Sequence, residues 1–254
     1  MAREEAIRAI TRVFRQIMIS NATITSALQL PVAFPEFKKK ILRGHMDGST
    51  VAKELVGKFL TPAPSEQDFE KLAVQLANQA TLNAETVLAA AVVVLAHSNA
   101  DDVFTSVCQI AIDLDPEGWI SEVNKDVKVT IGELRTKTVR EIYVDALKHF
   151  SDRIGSKSIV SRSDLLFKHV PIRLHNHILP DEDAYYKREK LKEADDLRHA
   201  IVHGGNLPII PISKSESIAK FLDEAASTAG RSVVFHFGLP MDVASLKEIL
   251  GVKD

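Results

Sequence analysis

The sequence has very little of what stabilises small secreted proteins. It contains one cysteine and one tryptophan, and aromatic residues make up only 6% of its 254 positions. A single cysteine excludes an internal disulfide, which fits a reducing compartment. We therefore predict that Cys108 is a small buried hydrophobe and that Trp119 lies in the core.

Long apolar runs and an export signal are also missing. The longest apolar run, Val87 to Ala96, is too short to cross a bilayer. The first residues, MAREEAIRAI, carry charges where a signal peptide has its apolar core. Hydrophobic residues at 45% and charged residues at 26% are typical of a globular protein and exclude the disordered and collagen-like classes. We expect a cytoplasmic protein that binds no membrane.

The net charge of −2 shows no excess of either sign, but the charges are segregated along the chain. Residues 76–127 carry 1 basic and 8 acidic groups, whereas residues 128–174 carry 10 basic and 5 acidic groups. Such segregation can give one molecule both an acidic and a basic surface. Either the two blocks neutralise each other across an internal interface, or the basic block forms a patch for an anionic partner. The sequence leaves both possibilities open.

Apolar residues recur at helical spacing along nearly the whole chain. This periodicity predicts an all-α fold, a multi-helix bundle with at most one short C-terminal β element. Val233 to Phe237 is the one strand-like run. The turn sequence Asp115-Pro116-Glu117-Gly118 predicts a boundary. Residues 1–115 would form a helical N-terminal region of unknown role, and residues 116–254 a second helical domain.

Capping signals and turn residues set the expected bounds of the helices. Thr130 and Glu133 form a capping box at the start of a helix predicted to run without interruption to Ile154. A long helix should begin near Asp181 and end at His203, before Gly204-Gly205. Further helices are predicted from Ser65 to Ala80, from Asn83, from Asp101 to Leu114, and from Ser213 to about Thr228.

Arg198 occupies an unexpected place in this long helix. At about 100° per residue it lies in the middle of an apolar stripe, which consists of Leu191, Ala194, Ile201 and Val202. A guanidinium stays charged and is costly to bury without a partner. Arg198 must therefore reach solvent, pair with a carboxylate, or face a polar groove or a bound anion. Asp195, one turn earlier, is an available local partner.

His203 follows Arg198 by five residues, which is about 140° around an ideal helix and about 7.5 Å along it. The two side chains can line one groove if the last turn unwinds into Gly204, or if two copies of the helix meet. The helix dipole at this C-terminal end favours a protonated imidazole. An arginine fork binds phosphoryl oxygens and a histidine moves protons near neutral pH, so the pair is suited to phosphate chemistry. A structural arginine beside a capping histidine is the alternative.

The segment Arg198-His199-Ala200-Ile201-Val202-His203 resembles the R-x(4–6)-H motif of the HEPN superfamily, helical domains found in prokaryotic toxin, abortive-infection and CRISPR-associated ribonucleases. His199 fits the family's preference for Asn, Asp or His after the arginine. The helical context also resembles the family, over roughly residues 120–230. Residues 1–115 resemble no family.

The resemblance implies a metal-independent endoribonuclease that acts as a homodimer on RNA, with no cofactor. Arg198 would bind the scissile phosphate, His203 would be the general acid or base, and His199 would support the site. The ribose 2′-hydroxyl would attack the adjacent phosphate. A toxin–antitoxin or phage-defence role, with an antitoxin protein as a possible partner, is implied in the same way.

Other interpretations stay open from the sequence alone. Family members that have lost catalysis suggest a helical module that only binds RNA, a nucleotide or a partner protein. A helical adaptor with Arg198 in a structural ion pair is a third possibility. His175 and His177, with His169 nearby, are a weak zinc signal because the cysteine or carboxylate ligands that zinc needs are missing. We therefore predict no metal site.

Overall fold

The computed structural model describes most of the chain as α-helix. Its described residues are 3–36, 38–40, 43, 66–126, 128, 130–174, 177–178, 188–205 and 207–240. The helices longer than one turn are α1 (Arg3–Leu28), α2 (Glu66–Leu114), α3 (Ile120–Asp126), α4 (Ile131–Thr136), α5 (Val139–Ile154), α6 (Ile159–His169), α7 (Arg188–His203) and α8 (Ile212–Phe237). A 3-10 turn spans Leu30–Ala33. The prediction of an all-α multi-helix bundle is confirmed.

Helix α2 is the central element of this bundle. It runs for 49 residues and packs against α1, α5, α6, α7 and α8. The sequence predicted three shorter helices over the same residues, and that prediction was wrong. No glycine or proline interrupts residues 66–114. A residue such as Asn83, which is common at helix starts, therefore does not end the helix that precedes it. One long rod results, and its second half is buried among the other helices.

The helix predicted from Thr130 to Ile154 is divided into α4 and α5. Thr130 and Glu133 form the predicted capping box at the start of α4. A second box, Thr138 with Glu141, caps α5. The backbone of Lys137 is extended between them. Because the second box satisfies the free N–H groups of a new helix start, the chain turns here at little cost.

The strand predicted over Val233 to Phe237 is wrong, because these residues continue α8. The helix ends only at Gly238, whose φ of 58° is the left-handed conformation that glycine adopts readily. The β structure among the described residues is a pair of two-residue strands, β1 (Arg173–Leu174) and β2 (His177–Ile178), which are antiparallel. The apolar pattern from Pro240 to Leu250 predicts a final helix. Residues 241–250 lie outside the described residues, as do residues 181–187 at the expected start of α7.

Buried residues from both sides of the predicted boundary near residue 116 form one hydrophobic cluster. Phe104 and Cys108 of α2, Trp119 after the turn, and Leu222 of α8 all belong to it. The burial predicted for Cys108 and Trp119 is confirmed: the two residues are 0% and 1% exposed. The division of the chain into two domains stays a prediction, and the two parts share their core.

One segment of α2 meets the length and composition of a membrane span. Val74–Leu114 is apolar enough to cross a bilayer, and a third of its most apolar window is buried within the protein. The central helix of a soluble bundle passes the same test. The cytoplasmic location and the absence of membrane binding stay predictions.

Candidate functional site

The end of α7 carries the predicted site residues, and it is regular up to its last residue. His203 is the final helical residue. The N–H of Gly204 donates to the carbonyl of Ala200 at 3.0 Å, and Gly205 then takes a positive φ of 73°. The last turn is therefore not unwound before His203. Without such unwinding, Arg198 and His203 could line one groove if two copies of α7 meet.

His199 and His203 lie on one face of α7, one turn apart. Their ring centroids are 4.7 Å apart and the rings are inclined by 49°. Both residues are exposed. The spacing of four residues brings the rings together because side chains at i and i+4 are neighbours on a helix. The structure thus presents a pair of imidazoles in tilted contact to solvent at a helix C-terminus.

Arg198, one residue before this pair, is half-buried, whereas the two histidines are exposed. Its Nε atom is buried and has no hydrogen-bond partner among the described residues. Within the described part of the chain, no ion pair joins it to Asp195, the available local partner. A buried guanidinium N–H without an acceptor costs free energy. Arg198 therefore has donor capacity that the described residues leave unused.

Asp195 accepts a hydrogen bond from a residue that the sequence analysis did not identify. The ring Nε2 of His97, on α2, lies 2.9 Å from its Oδ1. His97 is only 5% exposed. Burial lowers the pKa of His97, the charge and hydrogen bond of Asp195 oppose this, and the charges of Arg198 and Arg162 lower the pKa further. His97 is thus a neutral donor close to Arg198.

Arg162 of α6 completes this buried polar network. It is 1% exposed and pairs with the carboxylate of Asp101 on α2. One of its terminal nitrogens donates to the hydroxyl of Thr105 at 2.9 Å and to the carbonyl of Gly155 at 3.0 Å. Burial lowers the pKa of Arg162, and the charge of Asp195 raises it. The network ties α2, α6 and α7 together behind the predicted site.

A signal for this network is present in the sequence. His97, Asp101 and Thr105 recur every four residues along α2, so they lie on one face of it. Partners separated by 98 and 57 residues could not be assigned from spacing alone. Arg198, His199 and His203 were therefore predictable as candidate site residues, whereas the buried network next to them was not.

Ion pairs among the described residues join the acidic block of residues 76–127 to the basic block of residues 128–174. Asp101 pairs with Arg162, and Glu122 of α3 pairs with Lys168 of α6. Glu122 is 7% exposed, and its hydrogen bond to Lys168 is the main cause that lowers its pKa. Part of the charge segregation is therefore neutralised internally.

The weak zinc signal finds no donor set in the described structure. No group of three or more His, Cys, Asp or Glu side chains that could hold a metal lies within the described residues. The ring of His169 stacks on Trp119, with centroids 4.3 Å apart. His177 pairs with Leu174 in the small hairpin, and His175 lies outside the described residues.

The chain matches no protein-family model, no curated protein and no solved structure. The resemblance to the HEPN superfamily therefore rests on the motif of α7 and its helical context.

Proposed function

We propose that the protein is a metal-independent endoribonuclease of HEPN type that acts as a homodimer. The observation that carries the proposal is Arg198, which forms no carboxylate ion pair with any described residue and lies one residue before an exposed imidazole pair. A phosphodiester supplies the acceptors that this arginine lacks. The imidazoles of His199 and His203 are the residue type that moves protons near neutral pH.

The reaction needs three tasks that this residue set can perform. The 2′-oxygen of a ribose forms a bond to the adjacent phosphorus, and the bond from phosphorus to the 5′-oxygen breaks, which leaves a 2′,3′-cyclic phosphate. The proton of the 2′-hydroxyl goes to a base, and the leaving 5′-oxygen takes a proton from an acid. His203 serves as the general acid or base, which contributes about 10²–10⁴-fold. Arg198 stabilises the charge that develops on the phosphoryl oxygens.

His199 supports His203 by restricting its ring. The tilted ring contact at 4.7 Å limits the rotamers of an exposed side chain that would otherwise move freely, so the imidazole is held at one angle to the substrate. This assigns to His199 the supporting role that the resemblance implies.

A second copy is required because Arg198 and His203 lie on different faces of a regular helix. About 140° separates them within one chain. A two-fold axis beside α7 would bring the Arg198 of one copy near the His203 of the other, since such an interface uses the same surface on both subunits. The exposed side chain of Val202, 45% accessible, offers apolar area for that contact.

The test is RNA cleavage by the full chain in the presence of EDTA. We expect cleavage to continue, to leave cyclic-phosphate ends, and to be lost in Arg198→Ala and His203→Ala. Arg8→Ala and His149→Ala are matched controls, because the two residues are exposed on α1 and α5 and neither is a cation of the basic block, and these variants should retain activity. A requirement for a divalent metal, or equal loss in the control variants, would refute the proposed mechanism.

The alternative is a catalytically inactive module that binds RNA, a nucleotide or a partner protein with the same residues. It is favoured by the geometry of a single copy, in which Arg198 and His203 lie on different faces of α7. Intact RNA together with salt-dependent binding that requires Arg198 is the outcome that selects it. The toxin or phage-defence role and an antitoxin partner rest on the resemblance alone.

A further inference from the structure

Arg198 has a competitor for phosphate within its own helix. Asp195 lies three residues earlier, and side chains three residues apart on a helix are close enough to form an ion pair. Such a pair would neutralise the guanidinium and occupy donors that a phosphate needs. In this structure the pair is not formed, although both side chains are described.

The contact that replaces it comes from the N-terminal part of the chain. His97 reaches across from α2 and binds Asp195 Oδ1 through Nε2 at 2.9 Å. His97 is 5% exposed, so it is fixed by the surrounding core. The charged groups that act on it are Asp195 and Arg198 on α7 and Arg162 on α6, and Arg162 already has Asp101 as its carboxylate partner.

We infer that His97 is a positioning residue that keeps Arg198 available for phosphate by holding Asp195 away from it. The inference rests on the proposed function in that the phosphate is taken to belong to RNA. It assigns to residues 1–115 a task that the motif helix cannot perform alone. Asp195 would compete with the substrate phosphate for Arg198, and the hydrogen bond from His97 would keep Asp195 from pairing with Arg198.

The inference predicts a rescue pattern that a purely structural role does not produce. In His97→Leu, the freed carboxylate of Asp195 should turn to Arg198 and weaken RNA binding about tenfold, as the loss of a charge-assisted contact does. Asp195→Asn should bind at least as tightly as the wild type, since no carboxylate remains to compete. The double variant His97→Leu/Asp195→Asn should recover binding, although it has lost both members of the hydrogen bond.

The measurement is RNA affinity of the full chain at several salt concentrations, alongside thermal stability. The salt dependence should become shallower in His97→Leu, because fewer phosphates are neutralised, and steepen again in the double variant. His97→Gln keeps an N–H donor for Asp195 and should resemble the wild type. Binding that falls in His97→Leu and stays equally low in the double variant would overturn the inference and leave a packing role.

An NMR readout separates this inference from the proposed function. The side-chain Nε–H signal of Arg198 should shift in His97→Leu and return in the double variant, whether or not RNA is bound. If the wild type binds no RNA, the proposed function fails, and the Arg198 signal still decides the inference. An Arg198 signal that does not respond to His97→Leu would refute it.

Discussion

At the scale of single residues, the core contains polar side chains at positions that apolar residues could have filled. His97 and Arg162 are both more than nine-tenths buried. Buried polar groups are tolerated when their hydrogen bonds are made, and each of the two has a carboxylate partner. Among the described residues, the Nε atoms of Arg162 and Arg198 have no hydrogen-bond partner.

The lowered pKa of His97 predicts that the protein loses stability in mild acid. An unfolded histidine takes up its proton near pH 6.5, whereas buried His97 takes it up at lower pH. Between those two values the unfolded state binds more protons. The free energy of unfolding should therefore decrease as the pH falls from 6.5 towards the pKa of the folded state.

Urea unfolding at pH 7.5 and pH 5.5 measures this effect. His97→Gln should lose less stability on acidification than the wild type. His149→Gln, at an exposed position on α5, is the control and should follow the wild type. His169, whose pKa burial also lowers, contributes equally to all three proteins. An unchanged acid loss in His97→Gln would contradict the prediction.

Removing one member of the Arg162–Asp101 pair should be costly. Arg162→Met leaves Asp101 facing the core without its cation, and breaking such a pair costs about 3 kcal/mol. This is the lower end of the usual range, because the Asp101 side chain is 34% exposed. Arg162→Met/Asp101→Leu should regain much of the loss, and denaturant unfolding measures both. A single variant as stable as the wild type would mean that the pair does not hold α6 to α2.

The sequence was informative about Arg198 because its apolar neighbours follow a local period. Helical geometry alone places a charged residue among Leu191, Ala194 and Ile201, and that mismatch can be seen without a structure. The same reasoning could offer only Asp195 as an available carboxylate partner, since distance along the helix was the only distance available. His97 is 98 residues away in sequence, and only tertiary packing brings it to Asp195.

At the scale of elements, helix caps decide where the chain bends. The two capping boxes at Thr130 and Thr138 lie within eight residues of each other, so α4 is a short helix that must end before α5 begins. The Thr138-x-x-Glu141 signal is as visible in the sequence as the first one. The prediction of one helix failed because it followed apolar periodicity and passed over the second cap.

Loss of the α5 cap should destabilise the protein by a measurable amount. Thr138→Ala removes the acceptor of the Glu141 N–H, which lies 3.2 Å from the hydroxyl, and should cost about 1 kcal/mol. Thr136→Ala is the matched control, because its hydroxyl bonds to the carbonyl of Gly132 within α4 and caps no helix. Chemical denaturation compares the two. Equal losses would show that the cap does not matter for α5.

The fold class was predictable from the sequence, but the full lengths of α8 and α2 were not. The helical period was enough for an all-α bundle. The β-branched pair Val233-Val234 suggested a strand, yet both side chains are buried on a helix face, 0% and 6% exposed. Burial against the core outweighs the small cost of β-branched residues in a helix. The same rule explains α2, in which apolar packing carries the helix through positions that favour caps.

At the scale of the whole molecule, the residues of the basic block divide into those that form ion pairs with the acidic block and those that are exposed. Arg162 and Lys168 are used in ion pairs with the acidic block. Other members remain exposed, namely Lys128, Arg135, Arg140, Lys148 and Arg153. The segregated charges therefore neutralise each other in part, by joining α2 and α3 to α6. A basic patch for an anionic partner stays a prediction, with exposed cations on α4 and α5.

A homodimer with shared sites predicts complementation between two inactive proteins. In a mixed dimer of Arg198→Ala with His203→Ala, one site lacks both groups and the other has both. After subunit exchange of an equal mixture, about a quarter of wild-type cleavage should return, since half of the dimers are mixed and each has one complete site. RNA cleavage before and after mixing measures it, with light scattering to establish the mass. A dimer that stays inactive would place both groups in one subunit.

The single 49-residue rod of α2 has a consequence for how this protein can change over generations. His97 and the core partners of α8 sit on a helix encoded entirely upstream of the motif. A recombination event that transferred only residues 116–254 to another gene would carry Arg198, His199 and His203 but not the group that restrains Asp195. The motif and the residue that restrains Asp195 lie far apart in the sequence but close together in the fold. We therefore expect recombination to transfer the chain as a whole.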